Sequence, residues 1–148
     1  MSRALPAFSS MWNHYPTGDS TSVKRRIGGK VNYGWVVNTC VIRVSRSFNY
    51  SNHPIPRGYP GLNTIGGGDG KRYAYRVREF HKWLGAVYGP PSRSVSSAAD
   101  ASGVKGVIMF DVDSWNDATG HFDLWNGSQC AHQEYFAKSS KVLVWEAH

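Results

Sequence analysis

The fold of this 148-residue chain is decided by the stretch Asn38-Thr39-Cys40-Val41-Ile42-Arg43-Val44-Ser45. Apolar residues recur from here at the spacing of an α-helix and form one stripe, made of Val41, Val44 and Phe48. Arg43 and Arg46 are expected on the opposite, polar face. Because Pro54 and Pro56 cannot continue a helix, its end is expected near residues 49–51. The stretch therefore predicts an amphipathic helix.

Cys40 is expected at the beginning of this helix. Asn38 is a favourable N-cap residue, which puts Cys40 in the first turn. There, the positive end of the helix dipole and free backbone N–H groups favour the thiolate, which is the nucleophilic form of cysteine. Cys40 is therefore a candidate nucleophile, and the alternative is a small buried apolar residue.

A second informative stretch covers residues 120–125, near the other end of the chain. Its side chains alternate between two faces, with Phe122 and Leu124 on one and His121 and Asp123 on the other. This alternation is typical of a half-buried strand. The Asn126-Gly127 pair that follows predicts a two-residue hairpin turn, because both positions of a type I′ turn need positive φ.

The register of this hairpin determines which residue can orient His121. With a two-residue loop, His132 lies directly opposite His121, and opposed Cβ atoms are roughly 4.5–5.5 Å apart. The predicted constellation is Cys40 as nucleophile, His121 as general base and His132 as orienting residue. Asp123 is the second candidate for the orienting role. A loop of three or four residues would break the pairing, and the two histidines could also face each other by accident.

Several stretches together resemble the type VI secretion amidase effectors of the fourth family. The resemblance spans nearly the whole chain, and its two most specific blocks hold Cys40 and His121. The matching stretches are Trp12-Asn13-His14-Tyr15-Pro16, Gly29-Lys30-Val31, residues 38–45, Asn49-Tyr50-Ser51, Ile55-Pro56, Tyr75-Arg76-Val77-Arg78-Glu79, Trp115-Asn116-Asp117-Ala118-Thr119-Gly120-His121-Phe122-Asp123-Leu124-Trp125, Tyr135-Phe136 and Val144-Trp145-Glu146.

The resemblance implies a papain-like, NlpC-related cysteine peptidase. Such effectors cut the bond between γ-D-glutamate and meso-diaminopimelate in Gram-negative peptidoglycan, which makes Cys40 the nucleophile and His121 the base. The usual third residue is an Asp shortly after the His, and this chain has His132 where that Asp is expected. Related papain-like amidases use a His in this role, although a neutral imidazole stabilises an imidazolium less than a carboxylate does. Asp123 is the fallback orienting residue, although its position two residues along the same strand makes it a worse geometric partner than a cross-strand neighbour.

The order of elements predicts an α+β fold in a single papain-like domain over residues 1–148, with the nucleophile helix packed on an antiparallel β-sheet. The first 35 residues are expected to be mostly loop, and residues 66–72 a mobile loop. Further predicted elements are a second amphipathic helix marked by Tyr73, Val77, Phe80 and Leu84, a buried strand at residues 107–110, and a last strand at residues 141–145.

The two cysteines do not form a disulfide framework, so Cys130 is expected to be a free thiol. A Cys40–Cys130 disulfide is the alternative. No paired-Cys or His-Glu-x-x-His motif occurs, so neither a metal nor another cofactor is expected. No apolar run is long enough to span a bilayer, and no basic-plus-apolar signal segment opens the chain, so membrane insertion and a signal peptide are not expected.

The net charge of +7 predicts attraction to polyanions. Peptidoglycan stem peptides carry carboxylates and fit this charge. Nucleic acid is not expected as a partner, because no recognisable nucleic-acid module appears. The resemblance implies synthesis in the cytoplasm, delivery by type VI secretion components to the periplasm of a Gram-negative target cell, and a cognate immunity protein. The alternative function is a catalytically silent cell-wall binding protein on the same fold.

Overall fold

The computed structural model describes residues 2–112 and 120–148. The described part has four α-helices: α1 (Phe8–His14), α2 (Ser20–Ile27), α3 (Cys40–Asn49) and α4 (Val77–Tyr88). It has six strands: β1 (Thr64–Gly66), β2 (Arg72–Ala74), β3 (Arg93–Val95), β4 (Gly106–Asp111), β5 (His121–Trp125) and β6 (Lys141–Glu146). Short 3₁₀ turns cover Gly29–Asn32 and Phe136–Lys138. None of the helices in these ranges is long and apolar enough to cross a membrane.

The main sheet has four antiparallel strands in the order β3-β6-β4-β5, so β5 lies at an edge. Helix α3 packs against β5. The largest apolar cluster joins α3 and α4 to Phe122 and Leu124 of β5, and a second cluster includes Phe110 and Trp125. The prediction of a helix packed on an antiparallel sheet is therefore confirmed. Both faces of β5 are buried, although the sequence predicts a half-buried strand.

Helix α3 begins at Cys40, as predicted, and its apolar stripe is completely buried. Thr39, rather than Asn38, occupies the N-cap position. The Asn38 side chain still contributes to this end of the helix, because its Oδ1 accepts a hydrogen bond from the Cys40 N–H at 3.1 Å. Asn38 thus stabilises the start of the helix, as the sequence indicates, but it lies one residue before the N-cap.

The N-terminal third differs from the expected loop, because it contains α1, α2 and a 3₁₀ turn. Asp19 caps α2 by accepting a hydrogen bond from the Ser22 N–H at 2.8 Å. Met11 of α1 is fully buried in the cluster that also contains Cys40. Helices this short gain most of their stability from such tertiary packing, which composition does not reveal.

Residues 64–74 form a hairpin of β1 and β2 rather than a mobile loop. Tyr73 lies in β2 and not in the predicted second helix, which begins at Val77. Asp69 lies in its turn, where its Oδ1 accepts from the Lys71 N–H and its Oδ2 accepts from the Tyr50 and Tyr73 hydroxyls at 2.8 and 2.6 Å. Arg46 of α3 lies 3.8 Å from the same carboxylate. This carboxylate therefore fastens the hairpin to the C-terminal half of α3 and to Tyr50 at its end.

We expect Asp69→Ala to lower the free energy of unfolding by about 1–3 kcal/mol, because it leaves the largely buried Tyr73 hydroxyl without its acceptor. Urea denaturation of the variant and the wild type measures this loss. Asp100→Ala is the matched control, since Asp100 is an exposed carboxylate whose partner is the neighbouring Ser96. Equal losses in the two variants would contradict a fastening role for Asp69.

Candidate active site

His121 is the first residue of β5 and lies opposite Phe110 of β4. A Cβ atom at the preceding Gly120 would lie 2.4 Å from the Phe110 carbonyl oxygen, so only glycine allows the chain to enter β5 this closely. The imidazole stacks on the Phe110 ring at a centroid distance of 6.2 Å. The Tyr135 ring meets it edge-on at 4.9 Å. Backbone and aromatic contacts together fix the orientation of His121.

His121 joins Cys40 to Asp123. Its Nε2 donates a hydrogen bond to Asp123 Oδ2 at 2.8 Å, and the imidazole also shares a side-chain hydrogen bond with Cys40. Because Nε2 is engaged by the carboxylate, Nδ1 is the nitrogen left for the thiol. All three side chains are nearly or fully buried. The structure thus brings together a thiol, an imidazole and a carboxylate in the order that an activated thiol requires.

Electrostatics favour a protonated His121. Burial opposes the charged imidazolium, but hydrogen bonds to Asp123 and Cys40, together with their negative charges, outweigh it and raise the pKa of His121 to about 9. An imidazolium held between a carboxylate and a thiol is the electrostatic arrangement of a thiolate–imidazolium pair. The site is therefore suited to nucleophilic attack by sulfur followed by proton donation from nitrogen.

The hairpin after β5 has a four-residue loop, so the predicted two-residue turn is wrong. Trp125 pairs with Cys130, and the Asn126 side chain closes the loop by accepting from the N–H groups of Ser128 and Gln129. Gly127 has positive φ, but Asn126 does not, so a type I′ turn is not formed. Continuing the Trp125–Cys130 register by two residues brings position 132 opposite Asp123.

The predicted opposition of His121 and His132 is therefore also wrong. The two rings are 6.1 Å apart between centroids, the His132 side chain is exposed, and Nε2 of His121 bonds to Asp123 instead. Burial, Arg43 and His121 lower the pKa of His132, only partly offset by the charge of Asp123. His132 contributes to the site through its backbone, whose N–H donates to Asp123 Oδ1 at 3.1 Å.

The Asp123 carboxylate is fully buried and accepts four hydrogen bonds. Its donors are His121 Nε2 and the backbone N–H groups of Leu124, His132 and Gln133, at 2.8 to 3.1 Å. These bonds occupy the approximately four acceptor positions of a carboxylate. Asp123, the fallback orienting residue, is therefore the side chain that forms the hydrogen bond with His121 Nε2.

Cys130 and Cys40 are both free thiols. Burial raises the pKa of the Cys130 thiol, and the charges of Asp123 and Glu134 raise it further. Cys130 therefore stays protonated at neutral pH and does not compete with Cys40 as a nucleophile. The absence of a disulfide between the two cysteines agrees with the prediction of a free Cys130 thiol. Within residues 2–112 and 120–148, no three or more His, Cys, Asp or Glu side chains are arranged so that they could hold a metal ion.

Arg43 is a residue whose place the sequence analysis missed. It is 1% exposed instead of lying on a polar face. Its Nη1 donates to the carbonyls of Pro16 and Gly18 at 3.2 and 2.8 Å, and its Nε donates to Thr39 Oγ1 at 3.1 Å. Arg43 therefore ties the N-terminal segment to the residue before Cys40. An arginine in a helix stripe is usually solvated, so no pattern in the sequence indicated this contact.

We expect the free energy of unfolding to decrease as the pH rises from about 6.5 to 9, because folded His121 keeps its proton in this window while the unfolded residue has lost it. The contribution is fully present below the ordinary pKa of 6.5 and disappears above about 9. Its size is at most about 3 kcal/mol. Urea denaturation at several pH values, compared between wild type and His121→Gln, isolates this contribution. Parallel curves would contradict it.

Part of the expected family motif, residues 115–119, lies outside the described residues. Residues 36–145 match the family model described as type VI secretion system amidase effector protein 4, Tae4. The comparison with curated proteins gave no match.

Three solved structures illustrate the likeness. The type VI effector Tae4 from Enterobacter cloacae is 34% identical with a TM-score of 0.91, and the match covers 100% of both chains. The Tae4–Tai4 effector–immunity complexes from Enterobacter cloacae and Salmonella Typhimurium match at 33% and 30% identity with TM-scores of 0.88 and 0.89, covering 97% of this chain and 99% of theirs. The fold is therefore the predicted α+β papain-like fold, and the chain belongs to the Tae4 family of type VI secretion amidase effectors.

Proposed function

We propose that this amidase effector is a cysteine-dependent DL-endopeptidase of peptidoglycan, which hydrolyses the γ-D-glutamyl–meso-diaminopimelate bond of stem peptides. The observation that carries the proposal is the His121 imidazole, hydrogen-bonded on one side to the buried Asp123 carboxylate and on the other to Cys40. The γ-D-glutamyl specificity comes from the resemblance of the sequence to the family. The basic charge of the chain favours a substrate that carries carboxylates.

In the proposed mechanism, the Cys40 thiolate attacks the amide carbonyl and the carbonyl electron pair moves onto oxygen. Backbone N–H groups at the beginning of α3 stabilise this oxyanion. The tetrahedral intermediate collapses as His121 gives its proton to the departing amine, which leaves a thioester. His121 then takes a proton from water, whose oxygen attacks the thioester and releases the carboxylic acid and the thiolate. Asp123 holds the imidazole and stabilises its charged form throughout.

Asp123 takes the orienting role in this proposal, in place of His132. Its Oδ2 lies 2.8 Å from His121 Nε2, and a carboxylate stabilises an imidazolium better than a neutral imidazole does. In the sequence, the His at position 132, where the resemblance leads to an Asp, is the feature that favours the alternative of a catalytically silent wall-binding protein. Because the carboxylate is supplied from position 123, that alternative loses its support.

The chain is proposed to act in the periplasm of a Gram-negative target cell after delivery by type VI secretion. A cognate immunity protein is the proposed partner, since two of the similar effectors were solved in complex with the immunity protein Tai4. Mass spectrometry of meso-diaminopimelate peptidoglycan fragments, incubated with the protein under reducing conditions, tests the activity. We expect new products split between D-glutamate and diaminopimelate, and intact fragments would contradict the proposal.

A further inference from the structure

Residues 33–37, the segment that leads towards α3, carry an exposed apolar patch. In the described part of the chain, the exposed large apolar side chains are Tyr33, Trp35 and Val37, and all three lie in this segment. Trp35 is 55% exposed, whereas the tryptophans of α4, β5 and β6 are at most 4% exposed. Single exposed apolar residues are ordinary, but a contiguous group of them marks a binding surface.

The Trp35 indole is held by neighbouring rings although it is exposed. Its ring and the Tyr75 ring meet in a T-shaped contact at a centroid distance of 5.2 Å. The Arg76 guanidinium lies 5.3 Å from the centre of the Tyr75 ring and is paired with Glu79 at 3.1 Å. A side chain that is already held loses little conformational entropy when a ligand binds to it. Trp35 and Tyr75 together form an aromatic platform.

The aromatic platform is anchored to the nucleophile helix. Val36 is buried in the same apolar cluster as Ile42 of α3, and Tyr75 packs against this cluster. Because Trp35 precedes Cys40 by five residues, their Cα atoms lie at most about 18 Å apart. The platform is therefore close enough to contact a part of the substrate that lies beyond the bond that is cut.

The substrate of the proposed reaction carries a sugar at a matching distance. Stem peptides are joined to the glycan strand through their first residue, and the proposed scissile bond follows the second. Two extended residues span roughly 7 Å, so the sugar lies roughly 10–15 Å from the attacked carbonyl once the linkage is included.

The chemistry of the platform fits the sugar better than it fits the stem. Alanine, glutamate and diaminopimelate are small or charged, so the stem has no large apolar group to place on an indole. A sugar ring has an apolar face of C–H groups, and these partly positive hydrogens are attracted to the negative face of an aromatic ring. Trp35 offers such a face at the surface.

We propose that Trp35, supported by Tyr75, forms a subsite that binds a sugar ring of the glycan strand to which the stem peptide is attached. The inference rests on the proposed function and deepens it. It makes a stem that is still joined to its sugars a better substrate than the free peptide.

The test compares two substrates with the same stem peptide, one carrying the N-acetylglucosamine–N-acetylmuramic acid disaccharide and one without it. For the wild type, we expect kcat/KM to be roughly 10-fold higher with the disaccharide, mainly through a lower KM. Trp35→Ala is expected to bring this ratio close to one. Trp35→Tyr is expected to restore most of it, because it returns an aromatic ring.

Val37→Ala is the matched control. Val37 lies in the same segment, is 78% exposed and is nearer to Cys40 in the sequence, but it has no ring. This variant is expected to keep the wild-type ratio between the two substrates. Circular dichroism verifies that each variant is folded.

Binding to the Cys40→Ala variant tests the subsite without turnover. Isothermal titration calorimetry is expected to give a roughly 10-fold lower Kd for the peptide with the disaccharide, and the additional Trp35→Ala change is expected to remove this difference. Equal affinities before that change, or a difference that survives it, would overturn the sugar subsite and favour a protein partner for the patch. Wild-type protein that hydrolyses neither substrate would overturn the proposed function, whereas the calorimetry would still decide on the subsite.

Discussion

Cys40→Ala is expected to lower the rate of stem-peptide hydrolysis by roughly 10⁶-fold, the order of loss seen when a hydrolase nucleophile is removed. The Cys40 side chain is buried at the beginning of α3 and shares a hydrogen bond with His121. No other thiol takes part in the proposed mechanism. Alanine keeps helix propensity and removes only the sulfur. Quantitative mass spectrometry of muropeptide products measures the loss, and circular dichroism verifies that the variant is folded.

Cys130→Ala is the matched control for this experiment. It removes the other free thiol, whose sulfur stays protonated, and is expected to retain wild-type turnover. Substantial product formation by Cys40→Ala would exclude a cysteine mechanism at this position. If only the Cys130 variant lost activity, the nucleophile would be Cys130 and not Cys40.

Asp123→Asn is expected to lower kcat by about 10⁴-fold, which is the loss caused by replacing the orienting carboxylate of a catalytic triad with an amide. The amide no longer stabilises the His121 imidazolium, and it favours the wrong tautomer of the ring. His132→Asn is the matched control and is expected to change kcat only a few-fold. It alters an exposed side chain and preserves the backbone N–H that donates to Asp123. Steady-state kinetics on a defined muropeptide measures both effects.

The relative size of the two losses decides between the two candidate orienting residues. A large loss in the His132 variant with an active Asp123 variant would restore the assignment made from the sequence. Because asparagine presents an NH₂ group to backbone donors, Asp123→Asn is also expected to be less stable. Measuring kcat at a temperature well below the Tm of the variant ensures that the loss of activity reflects catalysis and not unfolding.

Much of the fold was predictable because local patterns determine it. The apolar stripe of α3 and the alternation in β5 indicate a helix and a strand, and both elements form where the sequence predicts them, although both are more completely buried than the patterns indicate. The helices before residue 35 were missed, because their stability comes from contacts such as that of Met11 with the main cluster. Sequence periodicity does not report contacts between distant segments.

The pairing of Cys40 with His121 was predictable from the sequence, but the geometry around the two residues was not. The Asn126-Gly127 pair indicates a two-residue turn, yet the Asn126 side chain bonds to Ser128 and Gln129 and closes a longer loop. This two-residue change of register moved position 132 from His121 to Asp123. Likewise, the burial of Arg43 depends on the three-dimensional path of residues 16–18, which no local pattern describes.

The backbone hydrogen bonds that hold Asp123 have a consequence for the evolution of such effectors. Its carboxylate accepts hydrogen bonds from the backbone N–H groups of His132 and Gln133. Every amino acid except proline has a backbone N–H group. Substitutions of the side chains at these two positions are therefore expected to preserve both hydrogen bonds. A change in the length of the loop would shift the register and break them. The sequence beside the proposed catalytic carboxylate can therefore change, for instance under selection to avoid an inhibitory partner, while Asp123 keeps its position.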